Sequence, residues 1–180
     1  MFFQILTFLL DVVAGLLGGA CLLRLYMQLQ RIPFGNPVGR FVFALTNWIV
    51  LPLRKVLPGY KKWDFASLIA AYLFELAQFG IIALMIGRGA PAVPVLALFG
   101  VIRLLISGAV GLTIVYAILS WVNADSPMVD VIDRLAAPLL RPFRRMIPLV
   151  GGFDLSPLAL LVVLQVLAII VANLQDALIR

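Results

Sequence analysis

Four apolar stretches decide what this chain can fold into. They run from Phe2 to Tyr26, from Phe65 to Ile86, from about Val95 to Val122 and from Leu155 to Leu174. A helix needs about 20 residues to cross a hydrocarbon core of about 30 Å, and each stretch meets that requirement. Only 12% of the 180 residues are charged and 64% are hydrophobic, whereas a soluble domain is about a quarter charged. One small core cannot hide that apolar surplus, so the surplus must face lipid. The expected fold is an all-α membrane protein with four transmembrane helices.

Two more polar segments separate the spans in pairs, Asn36 to Ser67 and Ser126 to Pro157. In the second, Asp130, Asp133, Arg134, Arg141, Arg144 and Arg145 fall on one helical stripe. Ile132, Leu135, Leu139, Phe143 and Ile147 fall on another, a period near 3.6 interrupted by Pro138 and Pro142. The first segment opens on Asn36-Pro37, a helix start. It then sets Arg40, Asn47 and Arg54 against Phe41, Leu45, Trp48 and Ile49, with a kink expected at Pro52 and an end at Pro58-Gly59. Each reads as an amphipathic helix lying in the membrane interface.

A shift of ninety residues superposes the two halves without a gap. Tyr26 meets Tyr116, Pro37 meets Pro127, Pro52 meets Pro142, Arg54 meets Arg144, Pro58 meets Pro148 and Asp64 meets Asp154. The chain therefore divides into two repeats, 1–90 and 91–180, each made of span, interfacial helix and span. An even number of crossings per repeat makes the halves parallel, related by a pseudo-two-fold axis along the membrane normal.

The formal charge of +6 suggests nucleic acid until the 14 basic residues are placed. Most of them lie in the two polar segments beside apolar spans; Arg88, Arg180 and Arg103 are left for the other side. The positive-inside rule then puts both segments in the cytoplasm and both termini in the periplasm of a bacterial inner-membrane protein. Expected partners are membrane lipids and either another protein or further copies of the chain; direct contact with nucleic acid is not expected.

The residues carry a resemblance at this point. Ile118-Leu119-Ser120-Trp121, Ser126-Pro127, Pro138-Leu139-Leu140-Arg141-Pro142, Arg144-Arg145, Ile147-Pro148 and Gly152-Phe153-Asp154-Leu155-Ser156-Pro157 closely resemble the YggT family repeat, shared with YlmG-type proteins and plastid relatives. The first half keeps Asn36-Pro37, Pro52, Arg54, Pro58 and Asp64 but has Ala66-Ser67 where the motif has Ser-Pro. The resemblance implies a small integral membrane protein without an established biochemical activity. It also implies links to cell division, nucleoid distribution, osmotic or potassium tolerance, and plastid cytochrome assembly.

Few residues suggest chemistry. There is no histidine and a single cysteine, Cys21, which leaves no intramolecular disulfide and no His/Cys set for zinc or haem. No catalytic residue, cofactor or metal site is expected, and Cys21 reads as a small residue in a packed helix. Arg134, Arg141, Arg144 and Arg145 form the candidate interaction surface, with four nearby aspartates balancing them. Asp64 and Asp154 are expected to cap the helices that follow, with Ser156 and Pro157 as the competing start of the last span.

Inside the spans Asp11, Glu75 and Arg103 stand where an unpaired charge costs at least about 2.5 kcal/mol. Depth favours an Asp11–Arg103 pair, and Glu75 is expected to face its repeat equivalent Gln165. Small residues at Gly15 and Gly19, and at Ser107, Gly108 and Gly111, suit close helix packing. The leading functional expectation is a non-enzymatic scaffold or assembly factor presenting the cytoplasmic helices. The alternative is a small channel or transporter subunit concerned with ion homeostasis or osmotic tolerance.

Overall fold

A computed structural model describes residues 1–57, 64–87, 90–122, 126–147 and 154–179. Pro58, Gly59, Arg88, Pro148, Gly152, Phe153 and Arg180, all named above, lie outside these residues. The described chain is α-helical. α1 spans Phe2–Leu29, α2 Pro37–Val56, α3 Phe65–Ile86, α4 Val93–Val122, α5 Pro127–Met146 and α6 Ser156–Ile179, with a 3₁₀ turn at Ala90–Ala92. Four of these, α1, α3, α4 and α6, are long and apolar enough to cross a membrane.

Local chemistry sets the helix ends in the same way in both halves. Asn36 accepts a hydrogen bond from the Gly39 N–H at 2.8 Å, and Ser126 accepts one from the Val129 N–H at 3.4 Å. Proline follows each cap in the first turn, where its missing N–H costs nothing. At the far end of α3, Gly87 takes a left-handed φ of 68° and donates its N–H to the Leu84 carbonyl, a left-handed glycine stop. Both α2 and α5 continue beyond their internal prolines, Pro52 and Pro138 with Pro142. Polar side chains within spans bond their own helix, as Thr113 does to the Ala109 carbonyl at 2.7 Å.

Each half builds a core of its own. Cys21, Leu22, Val50, Ala66, Ala70 and Ala71 pack α1, α2 and α3 together, with Val101 of α4 joining them. Tyr116, Ile132, Ala136, Leu140, Leu160 and Leu164 do the same for α4, α5 and α6. A third cluster joins the halves: Met27 and Ile32 with Val42, Val131 and Leu135. There the Tyr26 hydroxyl donates to the Leu135 carbonyl at 2.8 Å. That places the end of α1, and with it α2, at the same end of the bundle as α5.

α3 and α1 both pack against α4, whereas α6 makes its main contacts with α4 and α5. The first repeat thus contributes two helices to the junction and the second mainly one. Gly18 serves this junction, since a Cβ there would lie 2.8 Å from Leu104 of α4. Gly15 also faces Leu104, while Gly19 faces open space. The close-packed pair is therefore Gly15 and Gly18, not Gly15 and Gly19.

Candidate functional site

At the α2/α5 end, each repeat ties its short helix to the next span with one ion pair. Arg54, in the last turn of α2, donates from Nη2 and Nε to the two oxygens of Asp64 at 2.5 and 3.2 Å. Arg144, in the last turn of α5, donates from Nε to Asp154 at 3.0 Å. The aspartates are also the caps expected from the sequence. Asp64 accepts from the Ser67 hydroxyl at 2.6 Å and from its N–H at 3.4 Å, and Asp154 accepts from the Ser156 N–H at 2.9 Å. Ser156 and Pro157 open α6 from within the helix, so the competing serine cap does not form.

Burial pushes both carboxyls up, but the hydrogen bonds each accepts from its arginine and from Ser67 or Ser156 outweigh it. Both are held below the usual carboxylate range. Burial pushes the Arg144 guanidinium down, and the bond to Asp154 reverses that and holds it above its ordinary value.

The first repeat adds a buried network around Arg24 of α1, which is 2% exposed. Its Nη1 donates to the Thr46 hydroxyl at 2.8 Å and to the Asn47 side-chain oxygen at 2.7 Å. Its guanidinium lies over the Phe43 ring at 4.6 Å from the centroid. Its Nε approaches Asp64 to 3.7 Å without forming a hydrogen bond to a described residue. Gln28 completes the group by accepting from Arg54 at 3.0 Å. Asp64, fully buried, therefore serves two guanidiniums.

In the second repeat these positions hold Ile114, Ala136, Ala137 and Ile118. The arginine and its neutral acceptors are gone together. Tyr116, which carries the aromatic ring beside Arg144, accepts the bond that Gln28 accepts in the first. Arg24 was not among the residues singled out from the sequence. Its signal was the rule for intramembrane charge, applied at the depth of Asp64.

The two short helices present opposite surfaces. On α5, Val131, Ile132, Leu135, Ala136 and Leu140 are buried, while Asp130, Asp133, Arg134, Arg141 and Arg145 are exposed. Arg134, Arg141 and Arg145 make no ion pair with a described residue. On α2 the polar Thr46, Asn47 and Arg54 turn inward, and Phe41, Trp48, Leu51 and Val56 are exposed. Of the polar stripe expected on α2, Asn47 and Arg54 turn toward the bundle, where Arg24 and Asp64 bond them, while Arg40 is exposed.

Asp11, Glu75 and Arg103 come together as well, at a cavity of about 270 Å³ between α1, α3 and α4. Gln78 donates to Asp11, and Arg103 lies over the Phe79 ring at 5.7 Å. The Asp11–Arg103 ion pair expected from depth is not formed, since Gln78 and Phe79 take those roles. Glu75 is 3% exposed and its carboxyl rests against Gly100, where any Cβ would collide with it. It does not face Gln165, which is exposed on α6. α6 packs on α4 and α5 and leaves the α3 face to α1 and α4. Among the described residues no group of His, Cys, Asp and Glu is arranged to hold a metal ion.

These features define a four-span, all-α membrane protein made of two parallel repeats, each closed by an arginine–aspartate clamp. The CCB3/YggT family model matches residues 3–85 and 95–175, one match per repeat. The chain is 39% identical over 178 residues to the uncharacterized protein YggT of Escherichia coli strain K12, covering 96% of this chain and 92% of that one. It is 33% identical over 165 residues to an uncharacterized protein in the proC 3′ region of Vibrio alginolyticus, covering 89% of each. No solved structure matches it. The chain belongs to the CCB3/YggT family.

Proposed function

We propose that this chain is a non-enzymatic scaffold or assembly factor of the bacterial inner membrane, presenting the outer face of α5 to a protein partner in the cytoplasm. The observation that carries this reading is the exposed face of α5, with Asp130, Asp133, Arg134, Arg141 and Arg145 held outward by a buried apolar side. A surface of both signs suits a protein with complementary charges better than an anionic bilayer, which attracts unbalanced basic clusters. The Ser126 cap and the Arg144–Asp154 clamp fix the helix at both ends, so the surface is preorganised. The basic residues at this end of the bundle orient it inward by the positive-inside rule. α2, with Trp48 and Phe41 outward, is the membrane-seated member of the pair, an amphipathic helix of the interface.

Photo-crosslinking side chains at Arg134 and Arg141 in native membranes test this. A discrete protein adduct, lost on reversing the charge of Arg145, is expected. Adducts to lipid alone would overturn it.

The intramembrane cavity favours a second reading, a small transport subunit. Glu75→Gln that accumulates normally but fails to complement a deletion under osmotic stress would support that reading over the first. Against it stands Gln165, which does not extend the polar lining of the cavity.

A further inference from the structure

From the mouth of the cavity between α1, α3 and α4, we infer a two-fold contact between two copies of this chain, in which Asp11 of each copy pairs with Arg103 of the other. Three observations carry it.

Glu75 and Gln78 are buried at the cavity, while Asp11 and Arg103 are exposed on the two helices beside them, α1 and α4. Both exposed residues lie roughly 20 Å along their helices from the clamp layer, at 1.5 Å per residue from Arg24 and Tyr116. That is about two-thirds of the way across a 30 Å hydrocarbon core. Lipid tails satisfy neither charge there. Neither residue makes an ion pair with a described residue of its own copy.

The two charges are opposite and at one depth. A two-fold axis along the membrane normal preserves depth and applies every contact twice. It sets Asp11 against Arg103 and Arg103 against Asp11 in one interface. A different protein would have to carry both charges, in mirrored order, at that same level.

The surface beside the pair is shaped for close approach. Arg103, Ser107 and Gly111 follow one another at four-residue spacing along α4 and are all exposed. Nothing within 4 Å would meet a Cβ on Gly108 or Gly111. Small residues on a lipid-facing stripe let a second helix come near, and the flanking charges supply the specificity that packing alone lacks. The partner copy's Arg103 then closes a cavity that is otherwise open beside Glu75.

Co-expression separates pairing between copies from pairing within one. Asp11→Arg and Arg103→Asp, each alone, place like charges in every homodimer and should lower co-purification of differently tagged copies by about tenfold. Expressed together, the two variants form a heterodimer with both pairs complementary, and co-purification should return to within about twofold of the native chain. Single variants that associate normally would overturn the proposal. So would single variants that dissociate and are not rescued by each other.

Should either variant fail to accumulate, differently tagged copies carrying Asp11→Cys and Arg103→Cys decide. Cys21 is fully buried and does not interfere. A short bifunctional thiol reagent in membranes should link the two tags when these copies are co-expressed, and should not link Asp11→Cys to Val163→Cys, exposed on α6. No link between positions 11 and 103, or equal linking to position 163, would contradict the contact.

Discussion

The two repeats place the same clamp in different surroundings. Arg54–Asp64 sits in a buried cluster with Arg24, Thr46, Asn47 and Gln28, and Asp64 is fully buried. Arg144–Asp154 is 38% and 17% exposed and has, among the described residues, Tyr116 and the Ser156 N–H bonded to it. A carboxylate that neutralises two guanidiniums away from water cannot be spared, because its loss strands the positive charge. One that neutralises a half-wet arginine can be, because water takes its place. The first repeat is thus committed to holding α1, α2 and α3 together. The second, relieved of that burden, has a water-facing α5 whose charges are available to something else.

Removing the carboxylate separates the copies most sharply. Asp64→Ala should cost about 3–5 kcal/mol and deplete the protein from membranes. Thermal unfolding in detergent gives the magnitude where enough protein survives.

Gly39 offers the next contrast, since the second repeat has Val129 at that position. A Cβ on Gly39 would lie 2.5 Å from the Phe34 carbonyl oxygen, and backbone there has nowhere to go. Gly39→Val should therefore cost about 3 kcal/mol, the upper end for overpacking. Unfolding at an unchanged temperature would show that the approach to α2 is not as tight as it looks.

Arg24→Ile alone leaves the buried Thr46 and the half-buried Asn47 without the donor Arg24 supplies, at about 2 kcal/mol. Converting all three to the residues of the second repeat, Arg24→Ile with Thr46→Ala and Asn47→Ala, should recover at least half of that. The same melts read this departure from additivity. Strict addition would mean the three side chains do not act as one group.

Acid should weaken both clamps. A carboxyl whose folded pKa is lowered stabilises fully above its unfolded value and loses that contribution as pH falls through the folded one. The melting temperature should thus hold above about pH 5 and decline progressively below about pH 4. Asp64→Asn should flatten that decline more than Asp154→Asn, which carries a contribution of about 1 kcal/mol or less.

The smallest effects belong to the exposed face of α5. Arg145→Ala, with the photo-crosslinking side chain at position 134 or 141, should change stability by no more than about 0.5 kcal/mol while abolishing the crosslinked adduct. A large loss of stability would make this arginine structural and remove the reason for calling that face a docking surface.

Much of this was legible in the chain. Apolar length located all four spans, and the ninety-residue shift paired Arg54 with Arg144 and Asp64 with Asp154 before any coordinate did. Repeat comparison marks shared residues, and the clamp is what the repeats share. What stayed hidden is what they do not share. Arg24 has isoleucine opposite it, so the shift passed over it. The inward turn of Asn47 was unreadable without knowing that a cation waited across the helix pair. Glu75 was paired with Gln165 by repeat symmetry, but α3 packs on α4 without a matching α6–α1 contact of comparable extent. Symmetry in sequence did not carry over to the helix junction.

The central claim is that the buried Arg24 network, and not the clamp itself, makes Asp64 indispensable. Unfolding of Asp64→Ala measured in two backgrounds tests it most directly: the native chain, and the chain carrying Arg24→Ile, Thr46→Ala and Asn47→Ala. The expected cost is about 3–5 kcal/mol in the first and about 1–2 kcal/mol in the second, where only a half-exposed Arg54 and a helix cap are left to lose. An equal cost in both backgrounds would contradict the claim.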